Sequence, residues 1–363
     1  MTSAIDGVVF VAGLLVTGAV LGSAMKTVIL PRGVSVRLAR VVFISLRLLF
    51  KLTIRSSTSY ARRDRLLAPY APLALMTLLV AWLLGVLAGF GAMFWAVGAT
   101  HSPRDAFVRS ALSIVTLGFG TPHDVPNIAL AFSEAATGLL LVALLITFLP
   151  VIYAAFFARE GAVARLEARA GAPPTGVAML IRLHQLRDLN YLTAVWEEWQ
   201  SWFVAVEQTH TMFPSLAFFR SPQPGQSWIT AAGAVLDGAS LAASCLDRPR
   251  DAEAELTIRA GYLMLRRVST LFRLPFPTDP ASDDPIAVSR SEFDEVYDKL
   301  AGVGAPLRPD RDQCWRDFAG WRVNYDTPLI RLANLIEAPE APWSSDRGLV
   351  GGPALTFIER IRQ

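Results

Sequence analysis

Within the stretch SIVTLGFGTP at 113–122, the run Thr116-Leu117-Gly118-Phe119-Gly120 carries the residue types and spacing that could do chemistry on an ion. A monovalent cation that sheds its water must receive oxygens in exchange, and backbone carbonyls turned toward a narrow axis supply them. For successive carbonyls to face one axis the backbone must alternate between ordinary and left-handed conformations, which glycine adopts without steric cost. Gly118 and Gly120 meet that need. Phe119 between them is expected to point away and pack behind, and the Thr116 hydroxyl to add a side-chain oxygen at the inner end. The expected ligands are thus the carbonyls of Thr116, Leu117, Gly118 and Phe119 with the Thr116 Oγ. No other chemistry is offered. The sequence has no nucleophile-plus-base constellation, so an enzyme is not expected. It also has no glycine-rich strand-to-helix turn for a dinucleotide, no EF-hand loop and no β-roll with a phosphate-binding arginine. His184 and His210 lie apart, without cysteine or carboxylate at ligand spacing, so no metal beyond the permeant ion and no cofactor is expected.

The flanking elements suit that role. Residues 103–115 (PRDAFVRSALSIV) place a proline at a first helical position and Asp105 in the first turn, ahead of a mostly apolar run. Three segments, roughly 7–25, 73–98 and 127–157, have the ~20 predominantly apolar residues a bilayer crossing takes. On these residues and this order, the chain from about 69 to 159 resembles the potassium channel family, whose filter is written T-V-G-Y-G and commonly varies to T-x-G-F-G. The resemblance implies an outer helix at 69–98, a pore helix at 103–115, a filter at 116–120 and an inner helix at 127–159. It also implies passive, selective conduction of K+ ions held in the filter. Each chain supplies one filter segment, and enclosing an axis takes about four, so a homotetramer is expected.

The chain departs from the family pattern after the filter. Many members place an aspartate directly after the last glycine, whereas here Thr121-Pro122-His123-Asp124 follows. Asp124 is the expected stand-in at the outer mouth, beside His123, which reads as an exposed turn residue. Leu112 occupies a place where some members carry a glutamate that braces the filter. In the inner helix, Glu134 needs a partner at membrane depth, and Arg109 of the pore helix is the expected one. Gly138, eighteen residues past Gly120, stands close to where members often carry a hinge glycine. Pro150 removes a backbone hydrogen bond and is expected to kink the helix. Phe148, Tyr153, Phe156 and Phe157 are the candidates for an apolar constriction, with plain packing as the equal alternative.

The 363 residues are 53% hydrophobic and 18% charged, with a mean hydropathy of +0.39, too apolar for an ordinary soluble protein and too charged to lie wholly in a membrane. An all-α membrane protein with an added soluble domain fits. Residues 1–68 read as an N-terminal span, retained rather than cleaved, and a basic interfacial helix. Residues 69–159 form the pore domain and 160–363 a cytoplasmic helical domain. Between the first two spans lie Lys26, Arg32, Arg37, Arg40, Arg47, Lys51, Arg55, Arg62, Arg63 and Arg65, against the single acid Asp64. Such an excess stays on the cytoplasmic side, which puts the N-terminus outside a multi-pass protein of the cell (inner) membrane. Along 34–55, Arg37, Arg40, Arg47, Lys51 and Arg55 gather on one side of a helix, a stripe expected to meet anionic lipid headgroups and not nucleic acid. Its spacing does not keep the every-third-residue register of a voltage sensor.

The last 200 or so residues read as helices near 176–206, 228–246, 250–273, 291–301 and 311–337. Trp196, Trp199 and Trp202 form a stripe of core or interface type. Cys245 and Cys314 are expected as reduced thiols. The block THTMFPSLAFFRSPQPGQSW at 209–228 is a distinctive surface without assignable chemistry, and no motif identifies a regulatory ligand. Besides a potassium-selective channel, the sequence admits a weakly selective cation channel and a non-conducting, membrane-anchored helical receptor or scaffold. A transporter with four fused filter repeats is disfavoured by one repeat in 363 residues.

Overall fold

Long apolar runs punctuated by glycine, proline and aspartate dictate helices, and the computed structural model, which describes residues 2–28, 37–53, 60–98, 102–116, 124–186 and 189–347, is built of thirteen α-helices and one 3₁₀ turn. Among the described residues there is no strand, only an isolated bridge between Leu246 and Leu307. The chain divides into two compact units. One comprises Met1–Thr58 with Leu66–Ala154, the other Ser59–Arg65 with everything from Ala155 onward.

The first unit holds α1 (Thr2–Val28), α2 (Arg37–Thr53), α4 (Tyr70–Ala96), α5 (Pro103–Thr116) and the front of α6 (Val125–Ala170). Its closest packing is α1 on α4. A Cβ built on Gly13 would lie 2.5 Å from the Gly89 carbonyl oxygen, and one on Gly89 would lie 2.3 Å from Thr17 Oγ1. Small residues let two backbones approach where lipid tails offer no hydrophobic drive. Trp82 adds a buried hydrogen bond from its Nε1 to Ser23 Oγ at 3.1 Å. Gly89→Val is therefore expected to cost about 1–3 kcal/mol through overpacking, read as a lower melting temperature in detergent with Gly7→Val as control, since a Cβ at Gly7 meets nothing. Helix α2 lies against α4, where Tyr70 donates to the Phe43 carbonyl at 3.0 Å. The expected basic stripe is divided: Arg40 is exposed but Arg47 is buried within the protein. Arg55 lies outside the described residues, as do the side chains of Arg37 and Lys51.

The second unit is a helical bundle around α9 (Trp228–Cys245), enclosed by α7 (Gly176–Gln185), α10 (Ala252–Leu271), α12 (Arg311–Arg322) and α13 (Asp326–Ile336), with α8 (Tyr191–Met212) packed on α10. The 3₁₀ turn η1 (Pro214–Phe218) follows α8, α11 (Arg290–Gly302) packs on α7 and α12, and α3 (Tyr60–Leu67) begins within this unit. Trp196, Trp199 and Trp202 are all buried in the core, as their spacing suggested. Arg322 organises the centre. Its guanidinium donates to Asp237, to Asp326 Oδ1 at 2.7 Å and to the Trp343 carbonyl, while the Tyr325 hydroxyl donates to Asp237 Oδ1 at 3.0 Å. Burial alone would pull the Arg322 pKa down, but the two facing carboxylates hold it above its usual value.

Among the described residues, four helical stretches are long and apolar enough to cross a membrane: Ala4–Val28, Arg62–Ala96, Val125–Ala170 and Trp228–Cys245. The first three correspond to the segments read from the sequence. The fourth is 89% buried inside the protein, against 22–39% for the others, so its apolar circumference is accounted for by the bundle core. Two expected helices are each split. The 176–206 stretch breaks after Leu186, and 311–337 breaks at 323–325, where Pro328 near the start of α13 marks a new helix rather than the continuation of α12.

Candidate functional site

Helix α5 runs from Pro103 to Thr116, fourteen residues that bring the chain to the start of the glycine run. Ser102 begins it: its Oγ accepts from the Asp105 N–H at 3.1 Å and donates to Asp105 Oδ2 at 2.8 Å. Thr116 is the last residue of α5, while Leu117, Gly118, Phe119, Gly120 and His123 lie outside the described residues. Asp124 precedes α6 and caps it, its carbonyl accepting from Ile128 N at 3.1 Å and its Oδ2 from Asn127 Nδ2 at 2.6 Å.

The inner face of α5 is polar where it meets its neighbours. Ser110 Oγ bonds Glu134 Oε1 on α6 and lies 3.1 Å from the Leu87 carbonyl on α4; Ser113 Oγ donates to the Ala131 carbonyl at 3.0 Å. The expected Arg109–Glu134 pair is replaced by this arrangement, because Ser110 sits on the face of α5 turned to α6, whereas the Arg109 guanidinium lies 5.5 Å from the centre of the Phe94 ring on α4. Gly138 packs beside Ile114, with 3.7 Å between a built Cβ and Ile114 Cγ2.

Helix α6 continues through Pro150 to Ala170, eleven residues past the expected end. Proline at 150 leaves the Ile146 carbonyl without its helical donor. One residue on, the Thr147 hydroxyl bonds back to the Ala143 and Leu144 carbonyls at 3.1 and 3.0 Å, an arrangement that favours bending. Phe148 is buried in the first unit. Phe156 is buried in the second, its ring centre 5.5 Å from that of Phe219 and tilted by 48° to it, so neither ring is free to line a passage in this chain. Tyr153 is half-buried, and Phe157 is the exposed member of the four.

A second polar centre, invisible in the sequence, lies in the helical unit at Arg159. Its Nε donates to Glu160 Oε1 at 2.8 Å, Nη1 to the Leu216 carbonyl at 2.8 Å, and Nη2 to the Phe219 carbonyl at 2.8 Å. Nη1 also lies 3.1 Å from His210 Nε2, which must accept because arginine has only donors. The Trp202 indole donates to the Arg159 carbonyl at 3.1 Å. The otherwise unassigned 209–228 block thus supplies the cradle: His210, Leu216, Phe219 and Trp228 all face Arg159. The same block grips α3. Arg220 Nη1 meets Asp64 Oδ1 at 2.6 Å, and Arg63 pairs with Glu337 at 3.0 Å, so part of the basic segment between the first two expected spans is held by the helical unit.

Burial, then the positive charge of Arg159, pushes the His210 pKa well below its ordinary 6.5. The unfolded chain therefore takes up a proton below about pH 6.5 that the folded unit refuses, and stability is lost as pH falls through that value, by up to about 1.4 kcal/mol per pH unit until the folded pKa is reached. Denaturation of the wild type between pH 7.5 and 5 is expected to follow that slope, and His210→Gln to flatten this contribution.

A cleft of about 940 Å³ opens between α9, α10 and α12, but its charges cancel: Arg250 is engaged by Glu255, and Arg308 and Asp317 face each other at 3.9 Å. Among the described residues no three histidine, cysteine or carboxylate groups converge as metal ligands. Cys245 and Cys314 are free, buried thiols.

The chain is thus an all-α membrane protein, with apolar helices of spanning length and a helical bundle around its own buried core. No protein-family profile matches it, and no curated protein or solved structure is significantly similar.

Proposed function

We propose that the chain is one subunit of a homotetrameric potassium-selective channel of the cell membrane, passing K+ down its gradient through a filter of backbone carbonyls at Thr116–Gly120. The observation that carries this reading is that a fourteen-residue helix ends at Thr116, the first residue of the TLGFG run, packs on one long apolar helix and is followed by another. Thr116, Leu117, Gly118 and Phe119 provide the ion ligands, and Asp124 with His123 borders the outer mouth. Fourfold assembly would also bury the non-helical filter backbone in protein, the condition for such backbone at membrane depth. Charge placement supports an outside N-terminus and a cytoplasmic helical domain.

The proposed bend for opening lies at Thr147–Pro150, where two successive turns have altered backbone bonding, rather than at Gly138, which is packed against Ile114. Purified protein in liposomes tests the reading: potassium efflux with sodium excluded is the expected result, equal flux of both ions would reduce it to a weakly selective cation channel, and no flux of either would leave a membrane-anchored scaffold. A particle mass of four chains in detergent is the accompanying expectation.

A further inference from the structure

We infer that Glu134 is a positioning residue: with Ser110 and Ser113 it sets the rotation of α5, and so the selectivity of the filter that follows; this rests on the channel reading above. Glu134 is fully buried in the apolar run of α6. A carboxyl at that depth is costly, and ordinary packing would place leucine there. Its surroundings show what it does. Ser110 and Ser113, three residues apart, share one face of α5. Ser110 is held from both sides, by Glu134 Oε1 on α6 and the Leu87 carbonyl on α4, and Ser113 reaches Ala131 one turn before Glu134. Ile114 beside Gly138 completes the register. The four contacts fall in the last two turns of α5 before Thr116, so a rotation of that helix would break all of them together.

The arrangement is not the most stable one available. Glu134 Oε2 has no hydrogen-bond partner among the described residues. An unsatisfied buried oxygen destabilises, and replacing such a polar pair by apolar groups is often neutral or stabilising. A group that costs stability while bonding the helix that leads into the filter is explained by directional hold, which an apolar contact lacks.

The test compares wild type, the double variant Glu134→Leu/Ser110→Ala and the single variant Glu134→Gln, which keeps an acceptor for Ser110. The double variant is expected to melt at or above the wild-type temperature with unchanged particle mass, yet to lose about tenfold in K+ over Na+ permeability ratio, while Glu134→Gln stays within about threefold. Hydrogen exchange of the α5 amides, which needs no conduction, should quicken in the double variant and not in Glu134→Gln. An unchanged ratio in the double variant, or a fall in melting temperature with loss of assembly, overturns the inference. If the wild type passes no cation, the channel reading fails by its own result, and exchange decides the positioning: unaltered α5 protection in the double variant overturns it.

Discussion

Gly118→Ala is expected to abolish selective potassium flux while leaving the particle mass in detergent unchanged. In the proposed filter a left-handed backbone at an alanine would cost roughly 1–2 kcal/mol, and the four copies of the proposed tetramer would bring that to about 4–8 kcal/mol. At about 1.4 kcal/mol per factor of ten, selective flux should fall by at least about a thousandfold. Liposome efflux, with particle size measured on the same preparation, checks both halves. Undiminished potassium flux in a well-assembled variant would refute the assignment of the carbonyl ligands, and with it the channel reading. Loss of assembly would show instead that the segment is structural.

The second large effect is expected at Arg159→Met. Methionine fills part of the volume but leaves the Leu216 and Phe219 carbonyls, the Glu160 carboxylate and His210 Nε2 without the guanidinium that serves them. Breaking a buried charge pair from one side costs about 3–5 kcal/mol. For a unit of this size that is roughly a 10 °C fall in melting temperature. Tryptophan fluorescence reports it directly, because Trp202 and Trp228 both contact Arg159. Arg159→Lys should recover less than half, since an ammonium cannot reproduce a planar fork aimed at two carbonyls. A melting temperature within a degree of wild type would mean that water takes over these acceptors and that the cluster holds little.

These two sites differ in how far they could be read beforehand. The proposal at Gly118 rests on local patterns, a glycine beside an aromatic with a short helix before it and apolar runs around it, and the residue itself lies outside the described ones. The bounds of α4 and α5 follow from Pro69, Pro103 and Asp105 in the same way, and the tryptophan stripe of α8 announces its own burial. Arg159 looks like an ordinary charge at the end of an apolar helix. Apart from the adjacent Glu160, its hydrogen-bond partners lie 51 to 60 residues onward and come together through the fold of α8 and η1. Asp64 and Arg63 were hidden for the same reason, being 156 and 274 residues from Arg220 and Glu337. A run of basic residues reads as a lipid-facing surface until the carboxylate that takes one of them is placed. Arg109 and Glu134 show the converse: opposite charges on neighbouring helices suggested a pair, but the direction of each side chain put a serine hydroxyl in the arginine's place.

The length of α6 carries one consequence. At 1.5 Å per residue its 46 residues extend over about 70 Å, more than twice the ~30 Å hydrocarbon thickness. About twenty residues suffice to cross, so more than half of the helix must continue in water or against protein, and its last two turns carry Arg165, Glu167 and Arg169 accordingly. Arg165 and Arg169 both end on Glu198, at 2.8 and 2.7 Å, so the end of an apolar helix is fastened by charge to α8.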